Sequence, residues 1–257
     1  MTYNYHTHTR RCGHAKGTEE EYVLRAIQGG IRYMGFSDHM PLLCDDGYES
    51  RYRVPMAEAK DYIADIVTLR EKYRDVIDIK VGFEMEYYPE EFEKMLQCAI
   101  DLGAEYLILG QHYPNNEHSG IPPFIRPSDS KERLKTFVSR VIAAIESGVF
   151  TYIAHPDFVN FTGDRKTYQT EMRKICIAAK ERNVPLEINL LGIHEGRNYP
   201  NPLFWELVGE VQAPVVFGFD AHDVARAFDE ASLIIAKQMV QSYRLNYIGR
   251  PKLIPLG

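Results

Sequence analysis

Short apolar runs alternate along this chain with longer segments of helical periodicity. The runs Thr2–His6, Arg32–Ser37, Ile77–Glu86, Tyr106–Gln111, Phe150–Ala154, Pro185–Asn189 and Val215–Phe219 have the apolar, β-branched character of strands buried on both faces. Between and after them the periodicity predicts helices near 18–29, 55–74, 89–102, 130–147, 166–182, 202–211 and 226–241. Thr18 and Glu21 have capping-box spacing, and Gly29-Gly30 can end that first helix in a left-handed turn. Gly103 and Gly148 are placed to end the third and fourth helices in the same way. Helices 55–74 and 130–147 carry charge on what reads as a solvated face. The pattern is a series of β-then-α units, the grammar of a parallel barrel or a doubly wound sheet.

No linker, repeat or low-complexity tract divides residues 1–257, so the expectation is one domain. The length of 257 residues is close to that of one α/β barrel. Hydrophobic content of 45% and aromatic content of 12% supply a large core. A net charge of −6 argues against a surface for long nucleic acid or anionic membrane. No apolar run is long enough to span a membrane, and the chain starts with a strand-like segment rather than a signal peptide. Cys12, Cys44, Cys98 and Cys176 are scattered without a C-x-x-C pair, which suggests reduced thiols and a cytoplasmic setting. The sequence sets no oligomeric state.

The polar residues fall where the predicted strands end. His6 and His8 close the first, Asp38-His39 the second, Glu84 and Glu86 the third, and His112 the fourth. His155 and Asp157 close the fifth, Asn189 the sixth, and Asp220-Ala221-His222 the seventh. A loop with His194 and Arg197 follows the sixth. In a parallel barrel all these ends share one face, where active sites are built. His6 and His8 lie two apart, so on an extended strand both imidazoles point the same way, and Asp220 and His222 repeat the spacing. Imidazole and carboxylate suit zinc, manganese or iron without choosing among them. Glu84, nearer the strand centre than Glu86, can bridge two cations through its two oxygens. So many ligands on one rim fit two or three metals, an arrangement suited to phosphate ester hydrolysis. His118 reads as a surface histidine and Cys12 as a small residue packed beside the site, with Tyr87, Tyr88 and Tyr113 as cleft walls.

These pieces resemble the PHP (polymerase and histidinol phosphatase) family, and within it the stand-alone histidinol-phosphate phosphatases. The resemblance is carried by His6-Thr7-His8, Cys12-Gly13-His14-Ala15, Ser37-Asp38-His39, Gly82-Phe83-Glu84, Gly110-Gln111-His112-Tyr113, Ala154-His155-Pro156-Asp157 and Asp220-Ala221-His222. It implies a distorted (β/α)7 barrel with a cluster of three divalent ions at the C-terminal ends of the strands. One ion would take His6, His8, Glu84 and Asp220. A second would share Glu84 and add His112 and His155. The third would take His14, His39 and His222. The implied reaction is hydrolysis of L-histidinol phosphate, a step in histidine biosynthesis, by attack of a metal-bridging hydroxide.

The chain departs from the family pattern on the substrate side. Asn160 stands where a basic residue is common, His194 where an arginine is common, and Phe219 where serine usually precedes Asp-Ala-His. The candidates to hold the phosphate are Arg165, Arg197, His194 and Asn160 itself, with His194, His222 and Asp157 as candidates for the general acid. The remaining readings are a phosphoesterase for another small phosphomonoester or nucleotide, a zinc amidohydrolase and a non-catalytic metal-binding module. An amidohydrolase would want a bridging lysine near Glu84, and Lys80 lies too early in its strand.

Overall fold

A computed structural model describes residues 1–44 and 46–256 of the chain. Its strands form one sheet in chain order, every neighbouring pair parallel: β1 (Tyr3–Asn4), β2 (Tyr33–His39), β3 (Asp78–Met85), β4 (Tyr106–Leu109), β5 (Phe150–Ile153), β6 (Leu186–Asn189), β7 (Pro214–Gly218) and β8 (Asn246–Tyr247). Helices α1 (Glu19–Gln28), α2 (Ala59–Tyr73), α3 (Phe92–Leu102), α4 (Lys131–Ser147), α5 (Arg165–Arg182), α6 (Leu190–Glu195), α7 (Pro202–Val211) and α8 (Glu230–Ser242) lie between the strands. Parallel strands need such crossovers, and the apolar stripes of the helices cover the sheet's outer face.

The sheet curls back on itself. Residues just beyond β1 and β7 meet through a parallel bridge between Thr7 and Ala221. The His8 N–H donates to the Ala221 carbonyl at 3.0 Å and the Ala221 N–H to the His6 carbonyl at 3.3 Å. Below that bridge, side chains replace the ladder: Tyr3 Oη and Asn4 Oδ1 accept from the N–H groups of Phe217 and Phe219, each at 3.0 Å. The barrel is thus drawn shut at its C-terminal rim, and the motif positions of the first and last expected strands become neighbours.

Two differences from the sequence reading matter. The eighth strand, β8, is too short and polar to announce itself, and exists because β7 offers it a free edge. The region after β6 is not all loop: Asn189 caps the Gly192 N–H and starts the one-and-a-half-turn helix α6. The expected caps are otherwise present, with a full Thr18–Glu21 capping box and left-handed Gly103 and Gly148.

Inside the barrel, Tyr3, Tyr5, Tyr106, Ile108, Tyr152, Ala154 and Val216 form their own buried cluster. Tyr106 is 0% exposed and its hydroxyl donates to the Tyr5 carbonyl at 2.9 Å, satisfying the polar end of a ring that fills the barrel axis. The lower barrel is therefore solid. The helix–sheet layer outside it is anchored by large buried rings including Trp205, Phe204, Tyr62 and Phe137.

Candidate metal centre

Glu84, near the end of β3, is the hub of the rim. Its Oε1 lies 2.9 Å from His155 Nε2 and 3.5 Å from His112 Nε2. Its Oε2 lies 3.0 Å from His39 Nδ1, 3.5 Å from His8 Nε2 and 3.7 Å from His6 Nε2. Asp220 completes the far side, with Oδ1 3.1 Å from His8 Nε2 and 3.4 Å from His6 Nε2. The groups His6–His8–Glu84, His6–His155–Asp220, His39–Glu84–His112 and His14–His39–His222 each bring their ligand atoms within 4.8 Å of one another. All nine residues expected to hold metal thus meet in one cluster. His6, His8, Glu84, His155 and Asp220 are buried, whereas His39, His112 and His222 are half-buried and His14 is exposed.

Two of these side chains reach the cluster through strained backbone. His155 and Asp220 are non-glycine residues at φ 30° and 51°. Such positions cost roughly 1–3 kcal/mol each and concentrate at functional sites.

Four histidines have one ring nitrogen tied to the protein and the other turned inward. Nδ1 meets Glu187 Oε2 at 2.8 Å in His6, Asp38 Oδ1 at 3.2 Å in His8, the Cys12 carbonyl at 2.8 Å in His14 and the Asp220 carbonyl at 3.1 Å in His222. The buried atoms His6 Nε2, His8 Nε2, His222 Nε2, His155 Nδ1 and Glu84 Oε2 have no hydrogen-bond partner among the described residues. Orphaned buried polar atoms are costly, and all but His155 Nδ1, whose opposite ring nitrogen is the one that meets Glu84, converge from several strands on one space. A set of imidazole nitrogens and carboxylate oxygens arranged in this way fits divalent cations.

The electrostatics are those of a closely spaced anionic pocket. Burial favours neutral His6, but Asp220, Glu187 and Glu84 outweigh it and raise its pKa to about 10. His39 is driven the other way, to about 3, because burial outweighs the pull of Glu84. Burial and the neighbouring His222 lower His14 to about 4.

Glu86 has a different task. It pairs with Arg53, and its Oε1 accepts from the N–H groups of His112 and Tyr113 at 2.9 and 3.0 Å. Arg53 also meets Glu117 at 2.7 Å, and Ser50 donates to Glu117. The loop after β2 is thereby clasped to the loop after β4 above the cluster.

The cavity over the cluster has a volume of about 570 Å³. Its walls include Tyr52, Tyr113, Phe158, Tyr199, Ile125 and Leu191, and its charged groups beyond the cluster are Arg53, Glu117, Glu195 and Arg197. Arg197 reaches it from the turn after α6, held by Glu195 at 2.7 Å and by the Tyr199 hydroxyl at 2.6 Å.

Other sequence candidates lie elsewhere. Arg165 opens α5 and makes an exposed pair with Glu206 at 3.2 Å. His194 faces Asp229 at 3.7 Å, because α6 turns it off the cavity. Asn160 uses its backbone to join Phe124 and Ser128. Asp157 is buried and accepts from the Asn201 N–H at 2.5 Å and from Trp205 Nε1 at 3.1 Å, with its pKa pushed up to about 7 by burial. None of these four lines the cavity, so of the expected proton donors only His222 does. Tyr87 and Tyr88 are likewise not walls, since Tyr87 packs on Phe92 and Tyr88 is buried near Glu86. His118 is exposed and pairs with Asp46 at 2.7 Å. Cys12 is buried with its thiol donating to the Thr9 carbonyl at 3.1 Å. Glu187, Arg53, Glu117 and Tyr199 are site residues that the sequence reading missed. Glu187 lies within the expected Pro185–Asn189 strand rather than at its end, and the other three stand on segments without strand-end spacing.

A barrel whose C-terminal rim gathers histidines and carboxylates in this order is a PHP architecture. The PHP domain model matches residues 4–190, and the chain belongs to that family. Among its relatives, a Deinococcus radiodurans protein named "Probable histidinol-phosphatase" is 26% identical over 84% of this chain and 85% of its own length. The Bacillus subtilis "Histidinol-phosphatase" is 25% identical over 87% of this chain and 96% of its own. The fold is shared with the histidinol phosphate phosphatase of Lactococcus lactis, solved with zinc, L-histidinol and phosphate, at a TM-score of 0.69, 16% identity and coverage of 96% and 95%. A solved Listeria monocytogenes structure gives a TM-score of 0.73 at 19% identity, covering 90% of this chain and 99% of that one. No helix among the described residues is long and apolar enough to cross a membrane.

Proposed function

We propose that this chain is a metal-dependent phosphomonoesterase whose substrate is L-histidinol phosphate. The observation that carries the reading is the convergence of orphaned imidazole and carboxylate atoms beneath a cavity sized for one small organic phosphate. Relatives named for this activity along nearly their whole length support it.

In this reading residues 1–257 form one barrel unit. Three divalent cations would be held, one by His6, His8, Glu84 and Asp220, one by Glu84, His112 and His155, and one by His14, His39 and His222. Bound there, such ions supply Lewis-acid charge for phosphoryl oxygens and bring the pKa of water toward ~7. The chain's own part is positioning. Glu84 would be shared by two of the sites, since a carboxylate has two oxygens that can each donate. Arg197, clamped by Glu195 and Tyr199, presents a fixed guanidinium to the phosphate from the side. It takes over from the arginine that the family usually carries at position 194. Aromatic and aliphatic walls enclose the organic part and exclude water from around the ester.

The test is phosphate release by Zn²⁺- or Mn²⁺-loaded protein from L-histidinol phosphate, beside p-nitrophenyl phosphate and sugar and nucleotide monophosphates. A kcat/KM for histidinol phosphate well above the others is expected. Equal or lower activity on it would replace the substrate, and turnover of none with metal bound would overturn the phosphatase reading.

A further inference from the structure

Glu187 stands inside β6, 0% exposed, with no lysine or arginine among its hydrogen-bond partners. A buried carboxylate is retained only where its oxygens are well engaged. Oε2 faces His6 Nδ1 at 2.8 Å, and Oε1 accepts from Asn189 Nδ2 at 2.7 Å. The same Asn189 amide donates to Asp220 Oδ2 at 3.0 Å, while its Oδ1 accepts from the Gly192 N–H at 2.9 Å. That last bond fixes which way round the amide lies, so its N–H₂ points at both carboxylates. The adjacent strand leaves space for this arrangement: a Cβ at Gly218 would stand 2.5 Å from Glu187 Cδ.

A carboxylate can only accept, so the hydrogen between Glu187 and His6 belongs on Nδ1. In the neutral ring that can bind a cation, His6 Nε2 is then the free lone pair, turned toward Glu84 and Asp220 without a hydrogen-bond partner among the described residues. We infer that Glu187 is a positioning residue that holds His6 with Nε2 aimed at a cation and, through Asn189, sets Asp220 against the same cation. Such outer carboxylates tune metal affinity without touching the metal. Asp38 makes the matching contact to His8, but it also accepts from the Thr9 N–H at 3.0 Å and Thr9 Oγ1 at 2.5 Å, so its loss would disturb the following turn too.

The inference rests on the rim binding divalent cations, and its test reads metal rather than turnover. Glu187→Gln removes the charge and forces a second amide N–H₂ against Asn189 or His6. Gly218→Ala leaves the carboxylate intact but displaces it. Zn²⁺ affinity is measured by competition with a chromophoric chelator, metal content by plasma mass spectrometry, and thermal unfolding on chelator-stripped protein. Both variants should lose about 10- to 100-fold in affinity at one Zn²⁺ site, with stripped E187Q unfolding no lower than stripped wild type. Wild-type Zn²⁺ affinity in E187Q overturns the inference, and so does an affinity loss accompanied by equal destabilisation of the stripped protein. If one variant does not fold, the other decides by the same criterion. Wild-type protein that takes up no Zn²⁺ overturns this inference and the metal reading together. Metal-replete wild type inactive on histidinol phosphate removes only the proposed substrate.

Discussion

Replacing Gly110 with alanine should damage the candidate metal centre without altering any of its proposed ligands. Gly110 directly follows β4, beside the Glu84 side chain, and its φ lies outside the left-handed region, so alanine meets no backbone penalty there. An added Cβ would sit 2.6 Å from Glu84 Cγ, nearer still to its carboxylate. Ordinary contact begins at 3.4 Å, so Glu84 must retreat by at least about 0.8 Å at Cγ and by more at its carboxylate. Metal–ligand distances tolerate only about 0.2 Å, and misplacing a reacting group by about 1 Å costs on the order of 10²-fold in rate. The expected loss in kcat/KM is therefore about 10²-fold, or ~2.7 kcal/mol of transition-state stabilisation. Overpacking should also destabilise the fold by roughly 1–3 kcal/mol. The assay pairs phosphate release with metal content and urea unfolding. A G110A protein with a full metal complement and kcat/KM within about threefold of wild type would show that Glu84 can move freely, and would refute its role as hub.

Four further outcomes follow from the same geometry. Stripping with a strong chelator should abolish phosphate release, and adding Zn²⁺ or Mn²⁺ back should restore it while raising the unfolding temperature. The linkage amounts to ~2.7 kcal/mol when free metal is 100 times Kd, and an unchanged melting curve would speak against resident metal. His8→Ala and Asp220→Ala should each lower activity by about 10²-fold or more with native circular dichroism, since each loses a proposed cluster ligand; a metal-replete, active variant would contradict the site. Arg165→Ala should leave turnover unchanged and stability within about 1 kcal/mol, because exposed pairs contribute little, whereas Arg197→Met should lower kcat/KM by about tenfold or more through loss of a charged hydrogen bond. Burial opposes the charge on Glu117, yet Arg53 outweighs it and holds the carboxyl below its ordinary 4.5. Its stabilisation is thus full above that value and lost as pH falls through the lower folded one. Urea midpoints measured from pH 5 downward should fall less steeply in Glu117→Gln than in wild type.

The histidine and carboxylate half of this site was legible because strand ends in a parallel barrel share a face, whatever their distance in sequence. His6 and Asp220 are far apart in the chain, and the Thr7–Ala221 bridge makes them neighbours. Period-two spacing then indicates which side chains project together, as in His6 and His8. The substrate half lacked such a rule. Arg53, Glu117 and Tyr199 come from irregular segments, where no periodicity tells a side chain over the cavity from one in solvent. His194 and Arg197 show the difficulty: they lie three positions apart, and the short α6 with its Gly196 cap decides that the second faces the cavity. Glu187 failed to register for the opposite reason. Its strand was recognised, but a carboxylate inside a core run signals function only once His6 is known to lie 2.8 Å away. Spacing along a strand could identify the atoms that would touch metal, while the groups that aim those atoms, and those that would meet the substrate, were set by contacts between strands and between loops.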